Sequence, residues 1–191
     1  MFDKPRLVLA SASPRRLDIL RSAGIEPLVC PVDAEELTGG LSPADLVLAN
    51  ARLKAAAAAE KLPDDVVVAA DTVVALGDKI FGKPRDAEDA EAMLHMLAGR
   101  EHSVFTGVAV YSAGEISAEV AESKVRFRQL TDEEIADYVA GGEPLDKAGA
   151  YAIQGGAAKF ATEILGDYDN IVGLPMRLLG QMLTLSRFRN I

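Results

Sequence analysis

The sequence predicts an α/β fold with a mixed sheet, built as one domain over residues 1–191. Three observations lead there. Short apolar runs alternate with capped amphipathic stretches through the first hundred residues. Strand-like segments then cluster in the middle of the chain, and a helical stretch closes it. No repeat, low-complexity tract or linker divides the 191 residues, a length that suits one large domain or two small ones. The sheet is free to split into two lobes.

The elements follow in order. Leu7 to Ala10 reads as a short strand. Ser13 then Pro14 is a helix cap followed by proline in the first helical position, and Gly24 ends that helix. Leu17, Leu20 and Ile25 supply its apolar face. Ser42 and Pro43 repeat the device and open an alanine-rich helix to about Lys61. "VVVAA", Val66 to Ala70, is a β-branched run of the kind found in buried strands. Asp86 opens a helix with Ala90, Met93, Leu94 and Leu97 on one face and Gly99 as its stop. Thr106–Gly114 and Ile116–Leu130 read as a hairpin or meander. In its second arm Val125 and Phe127 alternate with Lys124, Arg126 and Arg128, so one face is wet. Thr131 with Glu134 forms a capping box, opening a helix that ends at Gly141. A last helix is entered at Pro175 in "GLPMRLLGQMLTLSRF".

Composition narrows the functions. Twenty Lys and Arg against 29 Asp and Glu give a net charge of -9. Nucleic acid binds largely through phosphate neutralisation, so this charge disfavours it, and no aromatic-basic stripe is present. An anionic small ligand needs a local cationic pocket instead. No stretch reaches the ~20 apolar residues of a membrane helix, and "MFDKPRLVLAS" lacks the apolar core of a signal peptide. No membrane association and a cytoplasmic location are expected. The single cysteine, Cys30, excludes an internal disulfide and a cysteine zinc cluster. It reads as a buried apolar thiol beside Leu28 and Val29. His95 and His102 have no second ligand at metal spacing, and no role is assigned to them.

Chemistry concentrates at a few places. A strand ending at Ser11 and a helix starting near Pro14 leave free backbone N–H groups and a positive dipole end, a ready anion site. Ser11 and Ser13 add hydroxyls, and Arg15 can grip phosphate oxygens in bidentate fashion. The alternative is a plain cap with solvated arginines, but cations in a first turn oppose the dipole. Arg16 reads as a bystander or an ion-pair partner. Asp71 follows an apolar strand, and a buried carboxylate needs a cation, a partner or acid/base work. Twelve residues on, Lys83 follows Gly82, and a hairpin between them would allow a structural Asp71–Lys83 pair. Lys54, set among alanines, is either a site cation or a snorkelling surface lysine. Gln154 stands in the glycine-rich "GGEPLDKAGAYAIQGGAAKF" and can offer a donor and an acceptor to a base edge. Asp167, Asp169 and Asn170 read as turn or cap residues. The run Asp33 to Leu37 can help hold Mg²⁺ or be a solvated loop. Taken together, these residues suit a nucleotide polyphosphate with a divalent metal, attacked by water.

"LASASPRR", "AADTVV", "GKP", "LAGREHSVFTGV", "GEPLDKAGAYAIQG" and "DYDNIVGLP" occur in the order seen in the Maf-like nucleotide pyrophosphatases, which the chain resembles over essentially its whole length. The resemblance implies a strongly twisted mixed sheet flanked by helices, with two lobes around a deep cleft, similar to inosine triphosphate pyrophosphatase. It implies hydrolysis of nucleoside triphosphates to the monophosphate and pyrophosphate, with Mg²⁺, or Mn²⁺ or Co²⁺, as the divalent ion. It implies a cytoplasmic homodimer. The family aspartate maps onto Asp71 as the proton acceptor for water; as chemistry, Asp71 either takes that proton or, as a metal ligand, holds the ion that acidifies the water. Arg15, Lys54 and Lys83 take the phosphate-binding roles, and Arg15, Thr72 and Gln154 the specificity positions. The "ADTVV" form with "EPLDKAGAYAIQG" is similar to the branch acting on dTTP and UTP; the branch acting on 7-methyl-GTP usually carries glutamine where Thr72 stands. The family often has Asp-Glu where this chain reads Asp33-Ala34, with Glu35, the candidate loop ligand, one place later. The competing readings are a pyrophosphatase of other or modified nucleotides and a nucleotide-binding regulator of septum formation that needs no turnover.

Overall fold

The computed structural model describes residues 5–185. The N-terminal Met1–Lys4 and the Ser186–Phe188 end of the expected last helix lie outside the described residues. The elements run β1 (Leu7–Leu9), α1 (Pro14–Ser22), β2 (Leu28–Val29), α2 (Pro43–Ala59), β3 (Val66–Leu76), β4 (Lys79–Phe81), α3 (Ala87–Leu97), β5 (Glu101–Ser112), β6 (Glu115–Phe127), α4 (Asp132–Ala140), β7 (Ala161–Leu165), α5 (Tyr168–Val172) and α6 (Met176–Leu185). Three 3₁₀ turns, Glu143–Asp146, Ala148–Ala150 and Gly156–Phe160, fill the glycine-rich stretch between α4 and β7. The sheet is mixed and seven-stranded, in the order β2-β1-β3-β5-β6-β7, with β4 also paired to β3. β1 runs parallel to β2 and to β3, whereas β3–β4 and β6–β7 are antiparallel. The expected α/β class with a mixed sheet is therefore observed.

The chain divides into two compact units. Of the described residues, the first comprises 5–71, 106–121 and 173–185. Its core sets Ala51, Ala55 and Ala58 of α2 against Val8 and Ala10, Val67 and Ala69, and Ala109. The alanines make this helix a close-packing surface. A Cβ on Gly107 would lie 2.3 Å from the Val47 carbonyl oxygen, so glycine lets the α2 backbone approach β5. Cys30 packs only partly against this core, and Leu28 and Val29 are 40% and 41% exposed. The thiol expected to be buried is thus half-buried, because β2 is a two-residue edge strand.

The second unit comprises Thr72–Phe105 and Glu122–Val172. Ala90, Met93, Leu94 and Leu97 of α3 are buried, as are Ile135, Tyr138 and Val139 of α4. Phe127 meets Tyr151 and Phe160 edge-to-face, with ring centroids 4.9 and 5.9 Å apart. His102 faces the Tyr151 hydroxyl at 3.0 Å, and burial pushes it down to about 4, so it sits neutral in this cluster. Asn170 is also buried and donates to Val104 O and Ser123 Oγ, both at 3.0 Å, so its role is an internal tie rather than a turn.

The caps at Ser42, Asp86 and Thr131 form as expected: each side chain accepts the N–H three residues on, and Thr131 and Glu134 complete the capping box. α2 ends at Ala59, two residues earlier than expected. β3 differs more. The expectation placed Asp71 at a strand end, but β3 continues through it to Leu76 because Thr72, Val73 and Val74 prolong the β-branched run. Asp71 is a mid-strand carboxylate.

Candidate active site

Asn50 and Lys54 are four residues apart on α2 and so share one face. That face meets β3 at Asp71, which is only 8% exposed. Lys54 Nζ donates to Asp71 Oδ1 at 2.8 Å and lies 3.0 Å from Glu36 Oε1. Asn50 Nδ2 donates to Asp71 Oδ2 at 3.1 Å. Asn50 is itself buried. It accepts the Leu37 N–H at 2.8 Å and donates to the Leu37 carbonyl at 3.0 Å, which clamps the acidic loop next to Asp71. A buried charge thus has a cation and a donor, the condition under which its burial is tolerated. An ionised carboxylate has about four lone-pair positions. Lys54 and Asn50 occupy one on each oxygen, leaving each oxygen an acceptor position for water or a metal.

The start of α1 supplies cations. Ser13 has extended backbone and Pro14 takes the first helical position, but the Ser13 hydroxyl makes no cap bond. Instead the Ser13 N–H donates to Ser11 Oγ at 3.2 Å. The helix has no acidic residue in its first turn, where Arg15 and Arg16 stand, so its positive end is not neutralised from within. Both arginines are half-buried. Arg16 is no bystander: its Nη1 donates to Ser11 Oγ at 3.1 Å and its Nε to the Gly173 carbonyl at 2.8 Å. Burial pushes the Arg16 guanidinium below its ordinary value, Asp71 pulls it back, Arg15 pushes it lower and Glu36 raises it. Arg15, Arg16 and Lys54 therefore outnumber Asp71 and Glu36 locally, in a chain of net charge -9.

Thr72, Lys83 and Gln154 belong to the second unit. Thr72 is half-buried in β3. Lys83 is exposed just past β4, whose register pairs Val74 with Phe81. The expected hairpin forms, yet the lysine paired to Asp71 is Lys54 rather than Lys83. Gln154 is exposed, and its amide has no partner among the described residues.

Among the described residues no group of three or more His, Cys, Asp or Glu side chains is arranged for a metal ion. Asp71 and Glu36 do share one cation, the Lys54 ammonium. Two carboxylates on hard oxygen suit Mg²⁺, which keeps several waters and takes phosphate oxygens as ligands. The loop carboxylate beside Lys54 is Glu36, at 3.0 Å, rather than Glu35 one residue earlier; both are exposed. Sequence reasoning missed Asn50 and the contacts of Arg16, and within the run Asp33 to Leu37 it singled out Glu35 where Glu36 meets Lys54. The i, i+4 spacing of Asn50 and Lys54 on an alanine face was the available signal.

The Maf-like protein family model matches residues 6–185. A dTTP/UTP pyrophosphatase of Pelotomaculum thermopropionicum is 48% identical over 180 residues, 93% of this chain and 94% of that one. One of Geobacter sp. strain M21 is 52% identical over 173 residues, 89% of this chain and 90% of its own. The Staphylococcus aureus Ham1 protein structure covers 95% of this chain and 99% of that one with a TM-score of 0.53 at 18% identity, a likeness of fold. With the family model spanning nearly the whole chain and relatives near half identity, this chain belongs to the Maf-like protein family.

Proposed function

We propose that the chain is a nucleoside triphosphate pyrophosphatase that hydrolyses dTTP and UTP to the monophosphate and pyrophosphate. The observation that carries this reading is the buried Asp71 carboxylate, tied to Lys54 and Asn50 beside an α1 terminus rich in cations. The activity named for the relatives supports the reaction and the choice of base.

Water attacks the α-phosphorus, a P–O bond forms there, and the bond to the β-phosphate oxygen breaks. Asp71 accepts the proton of that water at whichever oxygen position Lys54 and Asn50 leave open. Arg15, Lys54 and Lys83 neutralise charge growing on the departing pyrophosphate, with Ser11 and Ser13 offering hydroxyl donors. Arg16 joins this set by holding Ser11 in place. Asp71 and Glu36 would hold the divalent ion, Mg²⁺ or alternatively Mn²⁺ or Co²⁺. When bound it lowers the pKa of water and shields phosphate charge. Thr72 and Gln154 read the pyrimidine edge, and a wrong base leaves their polar groups unpaired. A homodimer in the cytoplasm, without nucleic acid, completes the proposal.

The test is a panel of dTTP, UTP, CTP, GTP, 7-methyl-GTP and ITP with Mg²⁺, following pyrophosphate and orthophosphate separately. Pyrophosphate mainly from dTTP and UTP is the expected result. Release mainly from another base overturns the roles of Thr72 and Gln154, and binding without release overturns the enzyme.

A further inference from the structure

Gln154 is followed by two glycines, which by themselves make a segment costly to order. The second unit shows why glycine stands there. A Cβ on Gly155 would lie 2.0 Å from Glu143 Oε1, and one on Gly156 would lie 3.0 Å from the Tyr138 ring. Glu143 Oε2 accepts the Gly156 N–H at 2.9 Å. The Tyr138 hydroxyl accepts the Ala152 N–H at 2.9 Å. Burial raises the Tyr138 phenol above its ordinary value; the Ala152 N–H lowers it in part, and the nearby Glu143 charge raises it further. Glu143 is held in turn by its place at the first 3₁₀ turn, where Lys147 Nζ donates to its backbone carbonyl at 2.8 Å. Two backbone N–H groups, two residues before and two residues after Gln154, are thus satisfied by side chains instead of a strand or helix ladder.

We propose that Glu143 and Tyr138 form a strap that positions Gln154 for base recognition, so that the exposed amide is presented in one orientation. The proposal rests on the reading of Gln154 as the residue facing the base edge. Preorganising that amide removes an ordering cost that every correct substrate would otherwise bear. In this proposal both residues are positioning residues that act through Gln154.

The experiment measures kcat and KM for dTTP and CTP in wild type, Gln154→Ala, Glu143→Ala, Glu143→Gln, Tyr138→Phe and Gly155→Ala, with a thermal melt of each. Gln154→Ala is expected to collapse the dTTP-over-CTP ratio of kcat/KM. Glu143→Ala and Tyr138→Phe are expected to lower it about 10-fold, chiefly through KM for dTTP, with kcat changed by less than about 3-fold. Glu143→Gln keeps a carbonyl oxygen for the Gly156 N–H and is expected to retain most of the ratio. Gly155→Ala is expected to lower the ratio alone, and to add nothing in a Glu143→Ala background. If Gln154→Ala changes the ratio while Glu143→Ala and Tyr138→Phe keep it, the strap is wrong. If Gln154→Ala leaves the ratio unchanged, the reading of Gln154 fails and the strap falls with it.

Discussion

Replacing Asn50 separates the orientation of Asp71 from its charge. Asn50→Leu keeps the volume roughly and removes three hydrogen bonds, at 3.1 Å to Asp71 Oδ2 and at 2.8 and 3.0 Å to Leu37. A bond to a charged group contributes about 1.5–3 kcal/mol and a neutral one about 1 kcal/mol. The backbone of the exposed Leu37 can bond water in compensation, while the 8%-exposed Asp71 carboxylate cannot easily do so. The net loss is about 2–3 kcal/mol, or ~4–12 °C in Tm for a chain of this length. Asn50→Asp keeps the shape and sets a like charge 3.1 Å from Asp71. Coulomb's law at an effective dielectric of about 20 gives ~5 kcal/mol of repulsion before relaxation. Asn50→Asp is therefore expected to melt ~6–12 °C below Asn50→Leu, an extra loss of about 3 kcal/mol. Thermal melts and pyrophosphate release from dTTP are read on both, and Asn50→Leu should lose about 10–100-fold in kcat with less change in KM. If Asn50→Asp is at least as stable as Asn50→Leu, the electrostatic reasoning is refuted. If Asn50→Leu turns over within twofold of wild type, the bond does not orient Asp71.

Gly107→Ala should lower Tm by ~6–12 °C, an overpacking cost of about 3 kcal/mol, because its Cβ would meet the Val47 carbonyl oxygen at 2.3 Å; a melt unchanged from wild type contradicts the close approach. Glu134 is held at about 2 by the Arg128 hydrogen bond first and the Thr131 backbone next, below its ordinary 4.5. A depressed carboxylate stabilises above its unfolded value and loses that contribution as pH falls, so wild type and Glu134→Gln should differ in Tm above pH 4.5 and converge toward pH 2. A gap constant across that window refutes the assignment. Arg16→Lys cannot span Ser11 Oγ and the Gly173 carbonyl with one ammonium. It should raise KM for dTTP about 10-fold or more, and an unchanged KM removes Arg16 from the site.

Local signals were legible because they lie within a turn of what they control. Ser42, Asp86 and Thr131 cap helices through an N–H three residues away, and the sequence shows both partners. The site was legible as residue types, with Ser11, Lys54 and Asp71 standing out, but less so as contacts. Asn50 bonds to Leu37 and Asp71, 13 and 21 residues distant, and its i, i+4 spacing to Lys54 places both on one helix face without naming those distant partners. Arg15 and Arg16 lie about 100° apart around α1, so which one turns to Ser11 depends on how the helix docks. Glu35 and Glu36 pose the same problem in a loop, where Asn50's clamp on Leu37 decides which carboxylate faces Lys54. Asp71 was displaced from strand end to strand centre because its burial, normally prohibitive, is offset by Lys54 and Asn50.

The most direct measurement is pyrophosphate release from dTTP by Asp71→Asn, with dTTP binding and the thermal melt recorded on the same preparation. Loss of the base should cost about 10²–10⁴ in kcat, while the chain stays folded and still binds nucleotide. Turnover near the wild-type rate would contradict Asp71 as the proton acceptor.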